Sequence, residues 1–270
     1  MVIEQNRHLV AVLDSIEVTR DIEAVCLREN EIEEAEAISN HRRRAEWIAG
    51  RIAAKYAFLS GEQAKGSSGV TALCISRLNG ANFADFGFDA YQEVSVVKNQ
   101  APGGGPAFVG WSACGRALRV AISHSNGISC ASVGASRVRS LDLEIPAPRI
   151  PEFYRHTFTN KERDWVGVCS RSHGLDPEWL FTLLWCTREC LLKIPRFSSL
   201  SLVNMPILEI IIPDGIERLT TICRSKELSE GFEFLQACTS HGRFQVAVAG
   251  AHNLVLTAIT GVDNELDHAA

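Results

Sequence analysis

The stretch Trp179-Leu-Phe-Thr-Leu-Leu-Trp185-Cys-Thr-Arg188-Glu189-Cys-Leu-Leu-Lys193 constrains what this chain can fold into more than any other. Asp176-Pro177-Glu178 before it reads as a helix start, a carboxylate N-cap followed by proline at the first helical position. Pro195 stops the helix soon after Lys193. Between those signals Leu180, Phe181, Leu183, Leu184, Trp185, Cys190, Leu191 and Leu192 point in every direction, the pattern of a buried helix. Trp185, Glu189 and Lys193 fall at i, i+4 and i+8, so one row carries a carboxylate and an amine. An exposed Glu–Lys pair would add only about 0.3–0.5 kcal/mol and would sit on a polar face. Here only Arg188 and Thr182 lie near it. Buried charges need a partner, hydrogen bonds or a metal, so the row reads as a candidate site.

At 270 residues the chain can bury one large core or two halves of about 130 residues. A net charge of −5 argues against nucleic-acid binding through the whole surface and confines any cationic site to a local patch. No apolar run approaches the roughly 20 residues of a membrane span, and the first residues lack the apolar core of a signal peptide. The nine cysteines are scattered without CxxC pairing. Cys186 and Cys190, a helical turn apart with no neighbouring histidine, read as core packing rather than zinc ligands. Reduced thiols in a cytoplasmic protein are the expectation.

In the N-terminal part, residues 9–13 read as a short strand and 22–27 as a short helix or loop. Glu29 to Glu36 is acidic and suits the start of the helical run that Arg42-Arg43-Arg44 opens and Leu59 ends. Ala45, Ile48, Ile52, Tyr56 and Leu59 form its apolar stripe. Arg44, Arg51 and Lys55, at i, i+7 and i+11, form a cationic row beside it. That row is either solvated charge on the rim of an amphipathic helix or a clamp for a phosphate dianion. A DNA-binding basic helix is disfavoured by the acidic stretch upstream.

Residues 61–69 and 101–106 read as loops, and 70–75, 94–97 and 118–122 as strands. The last strand runs into Ser123-His124-Ser125, which lacks the GxSxG elbow of a nucleophilic serine. It reads as a strand-end loop presenting imidazole to an anion, or as a structural turn. Residues 128–133, a turn over 134–137 and 138–144 read as a hairpin. In its second strand Ser140, Asp142 and Glu144 share one face. Two carboxylates at i, i+2 repel, and a divalent cation relieves that; oxygen ligands suit magnesium. A solvent-facing acidic strand end is the alternative. Thr159-Asn-Lys-Glu162 reads as a capping box opening a helix. Residues 207–212, 232–238, 244–249 and 254–259 read as strands, with turns at Asp214-Gly215 and His241-Gly242 and a polar tail from Asp263.

Ser140-Leu-Asp142-Leu-Glu144 resembles a Gly-x-Asp-x-Glu motif, and Trp185-Cys-Thr-Arg188-Glu189-Cys-Leu-Leu-Lys193 a Trp-x-x-Lys-Glu-x-x-x-Lys motif. With Ser123-His124-Ser125 and Gly50-Arg51-Ile-Ala-Ala-Lys55 upstream, the order and spacing resemble the 4'-phosphopantetheinyl transferases in their larger, two-halved, surfactin-activator-like form. That resemblance implies an α+β fold of two pseudo-twofold-related halves, each a small antiparallel sheet packed with helices, with the active site in the cleft between them. Residues 1–136 would be the half serving the 3'-phosphate and adenosine end of coenzyme A, and 137–270 the half serving metal and diphosphate.

The reaction implied is that of a holo-acyl-carrier-protein synthase. It moves the 4'-phosphopantetheine group of coenzyme A onto a serine of an acyl or peptidyl carrier protein and releases adenosine 3',5'-bisphosphate. By the resemblance Asp142, Glu144 and Glu189 hold magnesium, Lys193 meets the diphosphate, and Arg44, Arg51, Lys55, Ser123 and His124 hold the adenosine end. The catalytic assignments are Glu189 as base, Lys193 and Asp142. A monomer with no nucleic-acid or membrane partner is expected. The chain departs from the pattern at three places: Ser140 stands for glycine, Arg188 for the motif lysine, and Gly105 where the family often carries Lys or Arg. A degenerate coenzyme A-binding or carrier-docking module of the same fold is the alternative.

Overall fold

Two sheets, each flanked by helices, make this an α+β chain. The computed structural model describes residues 8–15, 18–63, 73–78, 85–97, 107–113, 117–133, 138–194, 197, 199–202, 205–211, 216–229 and 232–262. The chain divides into two compact units, Met1–Val138 and Arg139–Ala270. Of the loop expected at 61–69, residues 61–63 instead end a helix, and 64–69 fall outside the described residues, as do the loop expected at 101–106, the turns expected at 134–137 and at Asp214-Gly215, and the tail from Asp263.

In the first unit β1 (His8–Asp14) is followed by α1 (Arg20–Cys26), α2 (Glu29–Glu36), α3 (His41–Gln63) and β2 (Leu73–Leu78). β1 and β2 pair in parallel, which requires a long crossover, and the three helices supply it. Then come α4 (Phe88–Glu93), β3 (Val94–Val97), β4 (Ala107–Trp111), β5 (Ala117–Ser125) and β6 (Ile128–Val133), completing a sheet of order β2-β1-β6-β5-β4-β3. α3 lies across β1, β5 and β6. Gly50 sets how closely it approaches, because a Cβ there would stand 2.9 Å from Ile122 Cγ2.

The acidic stretch does not start α3 but forms α2, a helix of its own. Every residue of α3 from Ile48 to Leu59 is buried, Arg51 and Lys55 included. The solvated rim, one of the two readings of the cationic row, therefore fails at Arg51 and Lys55. The sheet covers one side of α3, while α2 and α4 also pack on it.

The Ser123-His124-Ser125 segment belongs to β5 rather than to a loop. β5 and β6 are joined by Asn126-Gly127, both at positive φ (51° and 86°), the two-residue hairpin turn that Asn-Gly favours. The hairpin expected between residues 128–133 and 138–144 does not exist. β6 pairs with β5 and β1, whereas β7 (Ser140–Glu144) pairs with the last strand of the chain. Alternating side chains look the same whichever neighbour a strand takes.

The second unit continues from β7 through α5 (Pro151–Thr157), α6 (Asn160–His173), α7 (Pro177–Leu192), β8 (Ile207–Ile211), α8 (Ile216–Arg224), β9 (Glu233–Thr239), β10 (Gly242–Ala251) and β11 (Leu254–Val262). Its antiparallel sheet has the order β7-β11-β10-β9-β8. Sequence reasoning placed the strands but missed α8, whose apolar positions Leu219, Ile222 and Cys223 are buried at helical spacing.

α7 begins as its sequence dictates. The Asp176 side chain accepts from Glu178 N–H, and Pro177 occupies the first turn. It packs on β7 and β11, with Trp179, Leu180, Leu183, Leu184, Cys186, Cys190 and Leu191 buried. Trp179 Nε1 donates to Ala251 O at 3.0 Å, so the buried indole leaves no orphan N–H. Cys186 and Cys190 are packed in this core and burial pushes both thiols up, Cys190 to about 12, as expected for inert core cysteines. Phe181, Thr182, Trp185, Glu189 and Leu192 are only half-buried and line the more open face. No helix among the described residues is long and apolar enough to cross a membrane.

Candidate functional site

The open row of α7 meets the acidic strand β7. Lys193 closes α7, its N–H bonding Glu189 O, and its Nζ reaches across to Asp142 Oδ1 at 2.7 Å and Leu141 O at 3.0 Å. Asp142 is buried, while the Lys193 side chain keeps 37% of its surface exposed. The solvent-facing alternative for the strand end therefore fails at Asp142, which points at α7 and also hydrogen-bonds Cys186.

Glu189 is half-buried beside these groups. Burial lifts its carboxyl above the usual range, Asp142 and Glu144 add to the lift, and Lys193 opposes it. The three acids thus interact electrostatically, as two carboxylates facing a third must. They do not form a ready three-ligand cage: among the described residues no group of three or more His, Cys, Asp and Glu is gathered to hold a metal ion. Asp142 Oδ1 is engaged by the Lys193 ammonium. Next to Glu144 opens a cavity of about 240 Å³, walled mainly by Phe153, Tyr154, Phe158, Phe181 and Trp185. Sequence reasoning missed it, because its rings come from two separate helices.

The lift on Glu189 has a measurable consequence. A carboxyl that holds its proton more tightly folded than unfolded stabilises the fold at low pH and loses that contribution as pH rises through its folded value. Glu189→Gln removes the repulsion with Asp142 and Glu144. Thermal melts in chelator should therefore show the variant gaining on wild type between pH 4 and 7. A constant difference across that range contradicts the coupling.

In the first unit the cationic row of α3 is spoken for by acids from α1 and α2. Arg44 pairs with Glu23 at 3.0 Å, Arg51 with Glu34 at 3.4 Å and Lys55 with Glu31 at 2.5 Å. Arg51 lies over the Trp47 ring at 4.4 Å. Burial lowers its pKa, against the pull of Glu31 and Glu34. Lys55 is fully enclosed and also donates to the carbonyls of Cys26 and Tyr91. Burial lowers its pKa too, with Glu31 as the main opposing charge. Lys55 is corrected from a ligand-binding residue to the cationic half of a buried ion pair, because three protein oxygens already surround its ammonium. The acidic stretch that seemed a helix start is the counter-charge of this row.

His124, on β5, keeps 44% of its side chain exposed, and its Nδ1 lies 3.1 Å from Glu46 Oε2 on α3. Ser123 beside it is buried. Arg43 at the start of α3 is exposed and makes no ion pair among the described residues. In the second unit Arg188 is wholly buried, its Nη2 donating to both oxygens of Glu162. It lies within the core and presents no charge to solvent.

Comparison with models of known protein families and with curated proteins finds no match to either. The site must be argued from its own chemistry.

Proposed function

We propose that the chain transfers the 4'-phosphopantetheine group of coenzyme A to a serine of an acyl or peptidyl carrier protein, with magnesium as cofactor. The observation that carries this is the meeting of Asp142, Glu189 and Lys193, drawn from a strand and a buried helix by two motifs whose spacing resembles that transferase family. The two units would be its pseudo-twofold-related halves flanking one cleft.

The donor set is all oxygen, which fits magnesium, and the repulsion among the acids, which adds to the lift that burial gives Glu189, is what a divalent cation relieves. Asp142, Glu144 and Glu189 would hold the ion, which supplies Lewis-acid polarisation of the diphosphate when bound. The remaining work falls to the chain. The carrier serine oxygen attacks the β-phosphorus, the bond to the bridging oxygen breaks, and adenosine 3',5'-bisphosphate leaves. Glu189 accepts the serine proton. Lys193, held at the end of α7, sets a positive charge against the developing diphosphate charge. The apolar walls beside Glu144 suit the uncharged arm. Arg44, Arg51, Ser123 and His124 serve the adenosine end, with Arg44 and Arg51 exchanging Glu23 and Glu34 for phosphate.

The commitment of those two arginines to carboxylates favours one other reading, a degenerate coenzyme A-binding or carrier-docking module of the same fold. The deciding experiment incubates the chain with coenzyme A, magnesium and a panel of carrier proteins and weighs the carriers. Magnesium-dependent gain of one phosphopantetheine mass is expected. Coenzyme A binding without gain on any carrier would establish the module instead.

A second measurement concerns Arg51. Arg51→Ala should raise the KM for coenzyme A about tenfold while lowering kcat much less, as loss of a ground-state phosphate contact does. A fall in kcat at unchanged KM refutes that contact.

A further inference from the structure

Glu46 is a buried acid that the motifs do not mention, and it is used at every position of its carboxylate. Oε2 faces His124 Nδ1 at 3.1 Å, while Oε1 accepts from Gly127 N–H at 2.8 Å and from Arg42 Nε at 3.3 Å. Its own backbone carbonyl accepts from Ser129 Oγ at 2.8 Å, tying this turn of α3 to β6. One side chain on α3 thus holds the β5–β6 turn and the imidazole one residue before the Ser125 end of β5.

We propose that Glu46 is the positioning residue for His124, holding its Nδ1 proton so that Nε2 alone is presented to a phosphate of coenzyme A. The inference rests on the transferase reading for the identity of the ligand. A carboxylate only accepts hydrogen bonds, so the ring nitrogen facing it carries the proton, and the other nitrogen is left to meet what lies outside. The His124 side chain, 44% exposed, leaves room for that contact. Locking the ring matters because a free imidazole would divide its time between rotamers and tautomers, and each lost orientation weakens a directional bond.

Glu46→Gln tests this, since the amide oxygen can still accept from Gly127 N–H and keep the turn. Three readouts are taken. Nitrogen NMR of the ring should show His124 protonated at Nδ1 in the neutral wild type and redistributed toward Nε2 in E46Q. The KM for coenzyme A should rise about tenfold in E46Q, and the rise should vanish when 3'-dephospho-coenzyme A is the substrate. In the background His124→Ala, E46Q should no longer alter KM. Circular dichroism confirms that each variant is folded; Glu46→Asp, which shortens the reach to His124 but keeps the charge, substitutes if E46Q is not.

A wild type with mixed tautomers, or an E46Q effect that is equal with and without the 3'-phosphate, overturns the role of Glu46 alone. A wild type that keeps the Nδ1 proton but neither binds nor transfers overturns the transferase reading, and the phosphate role of Glu46 with it.

Discussion

Arg188→Ala is expected to destabilise the second unit by about 3–5 kcal/mol, the range for removing one partner of a buried ion pair. In a thermal melt that corresponds to a drop of roughly 10 °C or more. The reason lies in what the guanidinium holds. Its Nη2 donates to both oxygens of Glu162, its Nη1 donates to Thr157 O at 2.6 Å, and the group lies 5.0 Å from the centre of the Phe158 ring. Glu162 in turn accepts from Thr159 N–H and Oγ1, both at 2.8 Å, and from Ile207 N–H at 2.9 Å. One buried pair thus joins the end of α5, the start of α6, the middle of α7 and the first residue of β8. Truncating Arg188 leaves a carboxylate at 1% side-chain exposure without its counter-charge.

Two further variants separate charge from geometry. Arg188→Lys restores the residue of the motif, yet an ammonium has no second nitrogen to hold Thr157 O while the first holds Glu162 and cannot reproduce the ring contact, so about half the destabilisation should remain. Arg188→Met with Glu162→Gln removes both charges and keeps one amide oxygen, enough for the Thr159 donors or for Ile207 N–H but not both, and should recover part of the stability lost by Arg188→Ala alone. An Arg188→Ala melt within 2 °C of wild type would show that the pair organises nothing. The departure of Arg188 from the motif is thereby a matter of core packing: the position points into the α6–α7 contact, away from Glu189 and Lys193.

α7 was legible because its signals are local: a cap at Asp176, proline at 177, an apolar run and proline at 195. That Asp142 and Glu144 share a strand face, and Glu189 and Lys193 a helix row, was legible through spacing, since period two on a strand and period four on a helix each put charges on one face; that the two faces meet was implied only by the resemblance. What failed depends on partners remote in sequence. Glu23, Glu31 and Glu34 lie some twenty residues before the cations they neutralise, so the sequence left the row of Arg44, Arg51 and Lys55 as either a solvated rim or a phosphate clamp and did not show these ion pairs. Strand β7 takes β11 for a neighbour, about 115 residues onward, a pairing no alternation pattern encodes. Glu46 and His124 are linked only by the packing of α3 on β5. One local signal was passed over: Asn126-Gly127 is the strongest short-range mark of a hairpin, and it stood directly after the serine–histidine segment.

Asp142→Ala and Glu189→Ala should each reduce transfer to a carrier by about a thousandfold or more while leaving the fold standing. The two halves of that expectation have separate physical grounds. Glu189 is half-buried on the open face of α7, and removing it lifts a repulsion, so folding loses little. Asp142 is buried, but its partner Lys193 is 37% exposed and retains Leu141 O at 3.0 Å, so water can solvate the freed ammonium. Transfer has no such substitute, because each acid is assigned a share of the charge that binds magnesium, and Glu189 also the serine proton. Carrier mass after a timed reaction measures the loss, with melts of the same preparations as the stability control. Transfer at the wild-type rate by either folded variant removes that residue from the chemistry. Transfer restored in Glu189→Ala by raising pH, with magnesium dependence unchanged, would reassign Glu189 from ligand to base alone, since hydroxide can replace a proton acceptor but not an oxygen donor at the ion.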